Sequence, residues 1–279
     1  MMRVVQFSGG KDSTALVLWA REQFGVDGFT TVFCDTKWEH PLTYAYIEQI
    51  NQTVLAGKLV TVTSEKYHGL ADLSAKRKIV PSVRMRFCTS ELKLFPFVAW
   101  MKDQEYDEVT VYQGIRADES HARSTMPRRI WEPLCDGWVE RPLFDWTAED
   151  VFALHRKHGI EPNPLYMMGA RRVGCFPCVM VSMGELRRLS QTTPEIWDQI
   201  ALVESSVAEG RGFFRTDYVP ARFHTGHYAK VQAEGALKEG TFPTWQDVKR
   251  YVTEVDEQQA RLFDACPPSG CMSVYNLCE

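Results

Sequence analysis

Six residues near the start of the chain, Ser8-Gly9-Gly10-Lys11-Asp12-Ser13, bring together the groups that an anion site needs. Two glycines let the backbone approach a phosphate closely. Lys11 supplies a mobile positive charge, and Ser8 and Ser13 supply hydroxyls. The Asp12 carboxylate suits a magnesium ion held between phosphates, because that ion prefers carboxylate and phosphate oxygens. The apolar run Val4 to Phe7 precedes the hexapeptide and reads as a short buried strand. The run Ala15 to Ala20 follows it and reads as helix. Strand, glycine-rich turn and helix start form an anion cradle: the helix's first N–H groups and the positive end of its dipole face the ligand. Ser13 or Asp12 can also cap that helix. The spacing is not that of the Walker A loop. A bare Gly-Gly-Lys would fit a plain turn equally well, but the full hexapeptide in this context reads as a nucleotide site.

The loop resembles that of the PP-loop ATP pyrophosphatases. The resemblance implies ATP bound here and cleaved between its α- and β-phosphates, with AMP left on a substrate. Two further polar loops fall where a parallel sheet would deliver them to the same place. Asp35-Thr36 follows the strand-like Phe29–Cys34, and Asp35 is a candidate for ribose, adenine or magnesium contacts. Gly114-Ile115-Arg116 through Ser124 follows the strand-like Glu108–Tyr112 and carries Arg116 and Arg123. Arginine suits phosphate or sulfate because its planar fork donates two hydrogen bonds at once.

The second chemistry is that of thiols. Cys175 and Cys178 are spaced so that two thiolates can converge on one metal or cluster, and Cys88, Cys266, Cys271 and Cys278 are further candidates. Four thiolates suit either zinc or an iron–sulfur cluster, and a lone C-x-x-C also fits a redox pair. Cys34 and Cys135 stand in apolar, strand-like surroundings and read as core thiols.

The elements that must position these residues follow from the pattern. Strand, helix, strand, helix and strand succeed one another: Val4–Phe7, a helix from Ala15, Phe29–Cys34, a helix over His40–Ala56 and Lys58–Thr63. That order predicts an α/β fold with an open, mainly parallel sheet and helices on both faces, ligands sitting at the carboxyl ends of the strands. Tyr67–Phe87 is irregular and basic, the pattern of a flap over the nucleotide. A helix from Cys88 to Lys102 should break or kink at Pro96. Arg129–Cys135 and Glu140–Phe144 read as a strand and its return. Thr147 opens a helix with an acid three residues on, and Gly159 ends it. Asn163–Tyr166 reads as a turn. The predicted division is a nucleotide-binding domain over 1–165 and a cysteine-containing, mainly helical part over 166–279. In that second part, helices are expected over Ser182–Gly210 and Thr244–Asp264, around a Gly/Pro/aromatic stretch from Gly212 to Pro243.

The 279 residues carry a net charge of −4, which gives no global electrostatic case for nucleic acid. No apolar run is long enough to span a bilayer. Met1 leads almost directly into the first strand, so no signal peptide and no membrane are expected and a cytoplasmic location is. In that compartment eight cysteines are ligands or reactive thiols more often than disulfides.

Several stretches together resemble the phosphoadenosine phosphosulfate reductase family: Ser8–Ser13; Cys88-Thr89 with Leu92-Lys93 and Pro96; Gly114-Ile115-Arg116 with Glu119-Ser120 and Arg123; Asn163–Tyr166; and Gly174–Cys178. The resemblance implies an adenine nucleotide alpha hydrolase-like sheet. It also implies either of two activities. One is an AMP-forming ATP pyrophosphatase coupled to sulfur transfer, as in the ATPase of DNA phosphorothioation. Lys11, Asp12 and Arg116 are then the catalytic candidates, Mg²⁺ the ion, and Ser8, Gly9, Gly10, Ser13, Asp35, Thr36, Gly114 and Arg123 the nucleotide contacts. The other is a sulfonucleotide reductase, in which the tail thiol of Cys278 attacks the sulfur of a phosphosulfate (PAPS or APS). Members with a four-iron cluster carry two adjacent cysteines plus a C-x-x-C, whereas this chain has Phe87-Cys88. The implied ligands are therefore Cys88, Cys175, Cys178 and a fourth from elsewhere, Cys271 before Cys278. The intact Lys11-Asp12 pair departs from reductases with a degenerate loop and fits a pyrophosphate-bearing nucleotide. A sulfur or electron donor protein and a nucleic-acid acceptor are the implied partners. The remaining alternative is a non-catalytic nucleotide- and metal-binding module of a larger complex.

Overall fold

The computed structural model describes residues 1–82, 84–208, 211–231 and 237–254. The chain divides into two units. The first gathers Met1–Lys66 and Thr89–Cys175; the second gathers Tyr67–Cys88 and the described residues from Phe176 onward.

Among the described residues of the first unit, six strands form one sheet: β1 Met2–Phe7, β2 Thr30–Cys34, β3 Val60–Val62, β4 Val109–Tyr112, β5 Arg129–Glu132 and β6 Gly137–Glu140. Their order is β3-β2-β1-β4-β6-β5. β1 lies between β2 and β4 and runs parallel to both. β3 and β6 continue the parallel arrangement on either side, and β5 returns antiparallel to β6. This is the α/β sheet that the sequence predicts. Its central strands are largely buried because helices cover both faces. Val5 and Phe7 pack with Leu16, Ile47, Ile50 and Leu154, whereas Val4 and Val32 pack with Phe97, Val98 and Met101. Adjacent residues of β1 thus serve opposite faces, as the two-residue period of a strand requires.

Helix α1 (Lys11–Phe24) leaves directly from the Ser8–Gly10 turn and stops at Gly25, where φ is +72°. Helix α2 (Pro41–Thr53) is capped by His40, whose Nδ1 accepts the Leu42 N–H at 3.0 Å. The helix Ala148–Lys157 has the expected box: Thr147 Oγ1 accepts the Asp150 N–H, and the Asp150 carboxylate accepts the Thr147 N–H.

Three local expectations are corrected. The return strand is Gly137–Glu140, and a turn over 142–145 follows it, since Pro142 cannot donate to a ladder. The stretch Tyr67–Phe87 contains a helix, Leu70–Arg77, closed by Lys78 in the left-handed region. At Pro96 the helix does not simply break. The preceding turn, Ser90–Leu94, widens to a π-turn in which the Phe95 N–H reaches the Ser90 carbonyl, and an α-helix runs on from Phe95 to Lys102. Widening the ladder just before a residue without an N–H lets the helix continue through it.

The described residues of the second unit are mainly helical. Met183–Thr192 and Ile196–Ser206 are separated at Thr193-Pro194, and Trp245–Glu254 follows a hairpin of Gly226–Val231 and Leu237–Phe242. That hairpin lies in the Gly/Pro/aromatic stretch, where sequence periodicity did not show it. Leu186, Ile196, Trp197, Ile200, Val203 and Val248 are fully buried there. The expected continuation of the last helix to Asp264 lies outside the described residues. Among the described residues no helix is long and apolar enough to cross a membrane.

Gly137 lets β6 lie close to β4: a Cβ there would come within 2.7 Å of the Val109 carbonyl oxygen. Gly137→Ala is expected to lower stability by about 1–3 kcal/mol, read as a lower midpoint in equilibrium urea unfolding with the slope unchanged.

Candidate functional site

The strand-to-helix turn is built by its own side chains. Gly9 has a φ of +78°, and a Cβ there would lie 2.9 Å from Ile47 of α2, so the position requires glycine twice over. Gly10 caps α1 without a side chain. Ser13 closes the turn: its Oγ accepts the Ser8 N–H at 3.2 Å, donates to the Gly10 carbonyl at 3.1 Å and lies 3.0 Å from Ser8 Oγ.

Asp12 and Arg116 form the buried centre. They are 1% and 4% exposed, and Arg116 Nε donates to Asp12 Oδ1 at 2.6 Å. The other Asp12 oxygen pairs with the Lys11 ammonium. Arg116 also pairs with Asp118 and donates to the Trp146 carbonyl. These carboxylates raise the guanidinium's pKa against burial, which alone would lower it. Glu119 links the two arginines, accepting the Arg116 N–H at 3.0 Å and pairing with the buried Arg123. Gly114 lets this loop reach α1, because a Cβ there would lie 2.9 Å from the Asp12 carbonyl oxygen.

Three residues from further along the chain grip the turn's backbone. Asn163, fully buried, donates from Nδ2 to the Gly9 carbonyl at 3.1 Å and to Thr43 Oγ1 at 3.3 Å. His155 donates from Nε2 to the Lys11 carbonyl at 2.8 Å, which fixes a protonated Nε2 because a carbonyl only accepts. Tyr166 accepts the Lys11 N–H on its hydroxyl at 3.1 Å. Sequence reading placed Asn163 and Tyr166 in a turn and overlooked His155. The buried stripe Val151, Leu154, His155 on the helix Ala148–Lys157 was the available signal.

Beside the turn lies a cleft of about 610 Å³, open to solvent, at the carboxyl ends of β1, β2 and β4. Ser8, Ser13, Gly114 and Arg123, expected from the sequence to contact a nucleotide, line it together with Gln6, Glu39, Lys93 and Gln113. Lys93 and Gln113 are buried polar side chains there. Asp35 stands at the end of β2, its carboxylate accepting the Lys37 N–H and the Tyr44 hydroxyl, each at 2.8 Å, and paired with the Lys37 ammonium at 2.7 Å. Burial and this carboxylate push the Tyr44 phenol far up. Thr36 donates to Glu39 at 3.2 Å, and Glu39 also accepts from the Cys175 thiol at 3.8 Å.

Among the described residues no three His, Cys, Asp or Glu side chains come together as a metal site. Cys88, Cys175 and Cys178 are reduced and of intermediate exposure. Cys175 belongs to the first unit, Cys88 and Cys178 to the second. Cys266, Cys271 and Cys278 lie outside the described residues. Cys34 and Cys135 are buried as expected, and burial pushes their thiols up to about 12 and about 11.

The sequence model of the phosphoadenosine phosphosulfate reductase domain matches residues 2–181. The chain belongs to this family. The family match covers the strands, the turn and both arginines. An uncharacterized 37.8 kDa protein of Escherichia phage 186 is 33% identical, the alignment covering 79% of this chain and 81% of that one. An adenosine 5′-phosphosulfate reductase of Streptomyces coelicolor is 26% identical over 60% of this chain and 78% of its own. The phosphoadenylyl-sulfate reductase of Candida auris, solved as a phosphate complex, superposes with a TM-score of 0.50 at 16% identity, covering 64% of this chain and 83% of that one. That likeness shows a shared fold.

His155 provides a test of the grip on the turn. Burial lowers its pKa below the usual 6.5, so the folded chain holds it neutral while the unfolded chain takes up a proton near that value. The stability it contributes is present above pH 6.5 and is lost as pH falls through the folded-state pKa. His155→Gln keeps an N–H donor for the Lys11 carbonyl but does not titrate. Its urea midpoint is expected to fall less steeply than the wild type's below pH 6.5.

Proposed function

We propose that the turn binds ATP and that the chain cleaves it between the α- and β-phosphates, leaving AMP on an acceptor for sulfur transfer. The observation that carries this reading is the intact Lys11-Asp12 pair, anchored by the buried Arg116. An acceptor oxygen or carbonyl attacks the α-phosphorus, the bond to the bridging oxygen breaks, and pyrophosphate leaves with both bonding electrons. The developing charge falls where the Lys11 ammonium and the first N–H groups of α1 meet the loop, and preorganised donors of this kind supply most of the stabilisation in phosphoryl and nucleotidyl transfer.

Magnesium would be held by Asp12, with Asp35 as a second proposed ligand. The donor set fits at Asp12: Arg116 keeps one carboxylate oxygen, and the other becomes available when the flexible Lys11 arm swings to the phosphates. The bound ion would offset charge on the phosphate oxygens. Arg116 is too committed to Asp12, Asp118 and Trp146 to travel, and acts by holding Asp12. Arg123, in the cleft lining, is the proposed contact for the α-phosphate or the acceptor. A sulfur or electron donor protein and a nucleic-acid acceptor are the proposed partners.

The second reading, a sulfonucleotide reductase, is favoured by one observation: two relatives carry the name adenosine 5′-phosphosulfate reductase. In that reaction a thiolate attacks the sulfur of the phosphosulfate, the S–O bond breaks and AMP or its 3′-phosphate leaves. Cys278 is the proposed nucleophile.

Calorimetry on anaerobically purified protein separates the two. Mg-ATP is expected to bind and phosphoadenosine phosphosulfate to bind more weakly. Lys11→Ala should weaken ATP about tenfold or more, the loss of a charged hydrogen-bond donor, and abolish pyrophosphate release. Tight binding of the phosphosulfate with ATP weak reverses the assignment.

Cys88, Cys175, Cys178 and Cys271 are the proposed thiolate ligands of a four-iron cluster, which would supply electron or sulfur chemistry. Iron and acid-labile sulfide are expected in anaerobically purified protein and should be lost in Cys178→Ser. Zinc without sulfide would assign a zinc site instead, and neither would leave these cysteines as structural thiols.

A further inference from the structure

The residues that hold the turn do so in two chemically different ways. Asn163 and His155 donate to carbonyls, of Gly9 and Lys11. A bound anion does not compete for carbonyls, so these bonds are compatible with an empty or a filled loop. Tyr166 does the opposite. Its hydroxyl oxygen accepts an N–H, and that N–H belongs to Lys11, the first residue of α1. The first N–H groups of a helix have no partner inside the helix and are the groups that a phosphate takes up. Gly10 offers no side chain to satisfy them.

The same tyrosine engages the other cationic element of the loop. The Lys11 ammonium lies 5.7 Å from the centroid of the Tyr166 ring while it pairs with Asp12. Tyr166 therefore meets both the backbone and the side chain of the loop lysine from one position. It sits on the short turn Pro164–Met167, behind the buried Asn163 anchor, and is itself only partly buried, so its side chain has room to move.

We propose that Tyr166 is an exchangeable cap: its phenol oxygen holds the first N–H of α1 in the ligand-free chain and yields it to a phosphate oxygen when a pyrophosphate-bearing ligand binds. This rests on the reading of the loop as a phosphate site. The exchange runs toward the ligand because a hydrogen bond to an anionic oxygen is roughly twice as strong as one to a neutral hydroxyl. Tyr166 is thus a positioning residue that keeps the empty loop in its binding conformation and sets how tightly the loop must be filled.

The proposal closes a thermodynamic cycle. Tyr166→Phe keeps the ring beside Lys11 and removes only the oxygen. It is expected to destabilise the free protein and leave the pyrophosphate-bound protein unchanged, so pyrophosphate should bind about three- to tenfold more tightly, the range of one neutral hydrogen bond. A purely structural role would lower the stability of both forms and leave affinity alone. The experiment is calorimetry of inorganic pyrophosphate and of Mg-ATP on wild type and variant, with urea unfolding with and without pyrophosphate. In the wild type, NMR should show the Lys11 amide and the Tyr166 ring shifting together on titration, which gives a readout independent of the variant's folding. Unchanged or weakened pyrophosphate binding in Tyr166→Phe, a Tyr166 ring that does not shift, or no pyrophosphate binding by either protein overturns the proposal. Tighter pyrophosphate binding by the variant with ATP bound by neither protein would sustain the exchange and sink the ATP reading.

Discussion

One buried ion pair organises the first unit. Asp12 and Arg116 are both nearly inaccessible, and neither could be buried alone, because an uncompensated interior charge costs several kcal/mol. Each therefore requires the other in place. Asp12 opens α1 beside the loop that follows β1, and Arg116 follows β4, so the pair fastens together the loops after two adjacent parallel strands. Gly114 permits the approach by leaving out a Cβ that would meet the Asp12 backbone. The remaining contacts respect this arrangement. Lys11 takes the second Asp12 oxygen, Glu119 joins Arg116 to Arg123, and Arg123 reaches the cleft.

Around that centre the site divides its work. Asn163 and His155, from elements near residue 160, fix carbonyls and so shape the turn without occupying its donors. Ser13 holds the Gly10 carbonyl from within and takes up the Ser8 N–H. The first N–H groups of α1 and the flexible Lys11 ammonium are the donors that this turn offers a ligand. A rigid turn with a single mobile charge is a preorganised arrangement, with little of the ordering cost left for the moment of binding.

Much of this was legible in the sequence because the information is local. Val4–Phe7, the glycines and Ala15–Ala20 lie next to one another in the chain, so strand, turn and helix could be read directly, and Gly114–Arg123 was placed by the rule that such loops gather at one end of a parallel sheet. The Thr147–Asp150 box was legible for the same reason. What was missed is set by tertiary contact. His155 carries no local signature, since its role depends on the Lys11 carbonyl far away in sequence. The π-turn at Ser90–Leu94 answers to Pro96, but a proline states only that a regular ladder must yield, not how. The hairpin Gly226–Val231 with Leu237–Phe242 is a two-stranded pairing in a stretch whose glycines and aromatics blur the two-residue period. Asp12 was read as a magnesium ligand from its neighbours in the loop, and its bond to Arg116 became visible only with the fold.

The topology has a consequence for the order in which the site comes into being. β1 lies between β2, which follows it closely in the chain, and β4, which arrives about a hundred residues later. During synthesis the turn and α1 can form against β2 and β3 while Asp12 still lacks Arg116, which is 104 residues away. Long-range parallel pairing is the slow part of folding such a sheet. The phosphate loop is thus made early, and Arg116 reaches Asp12 only when β4 docks against β1.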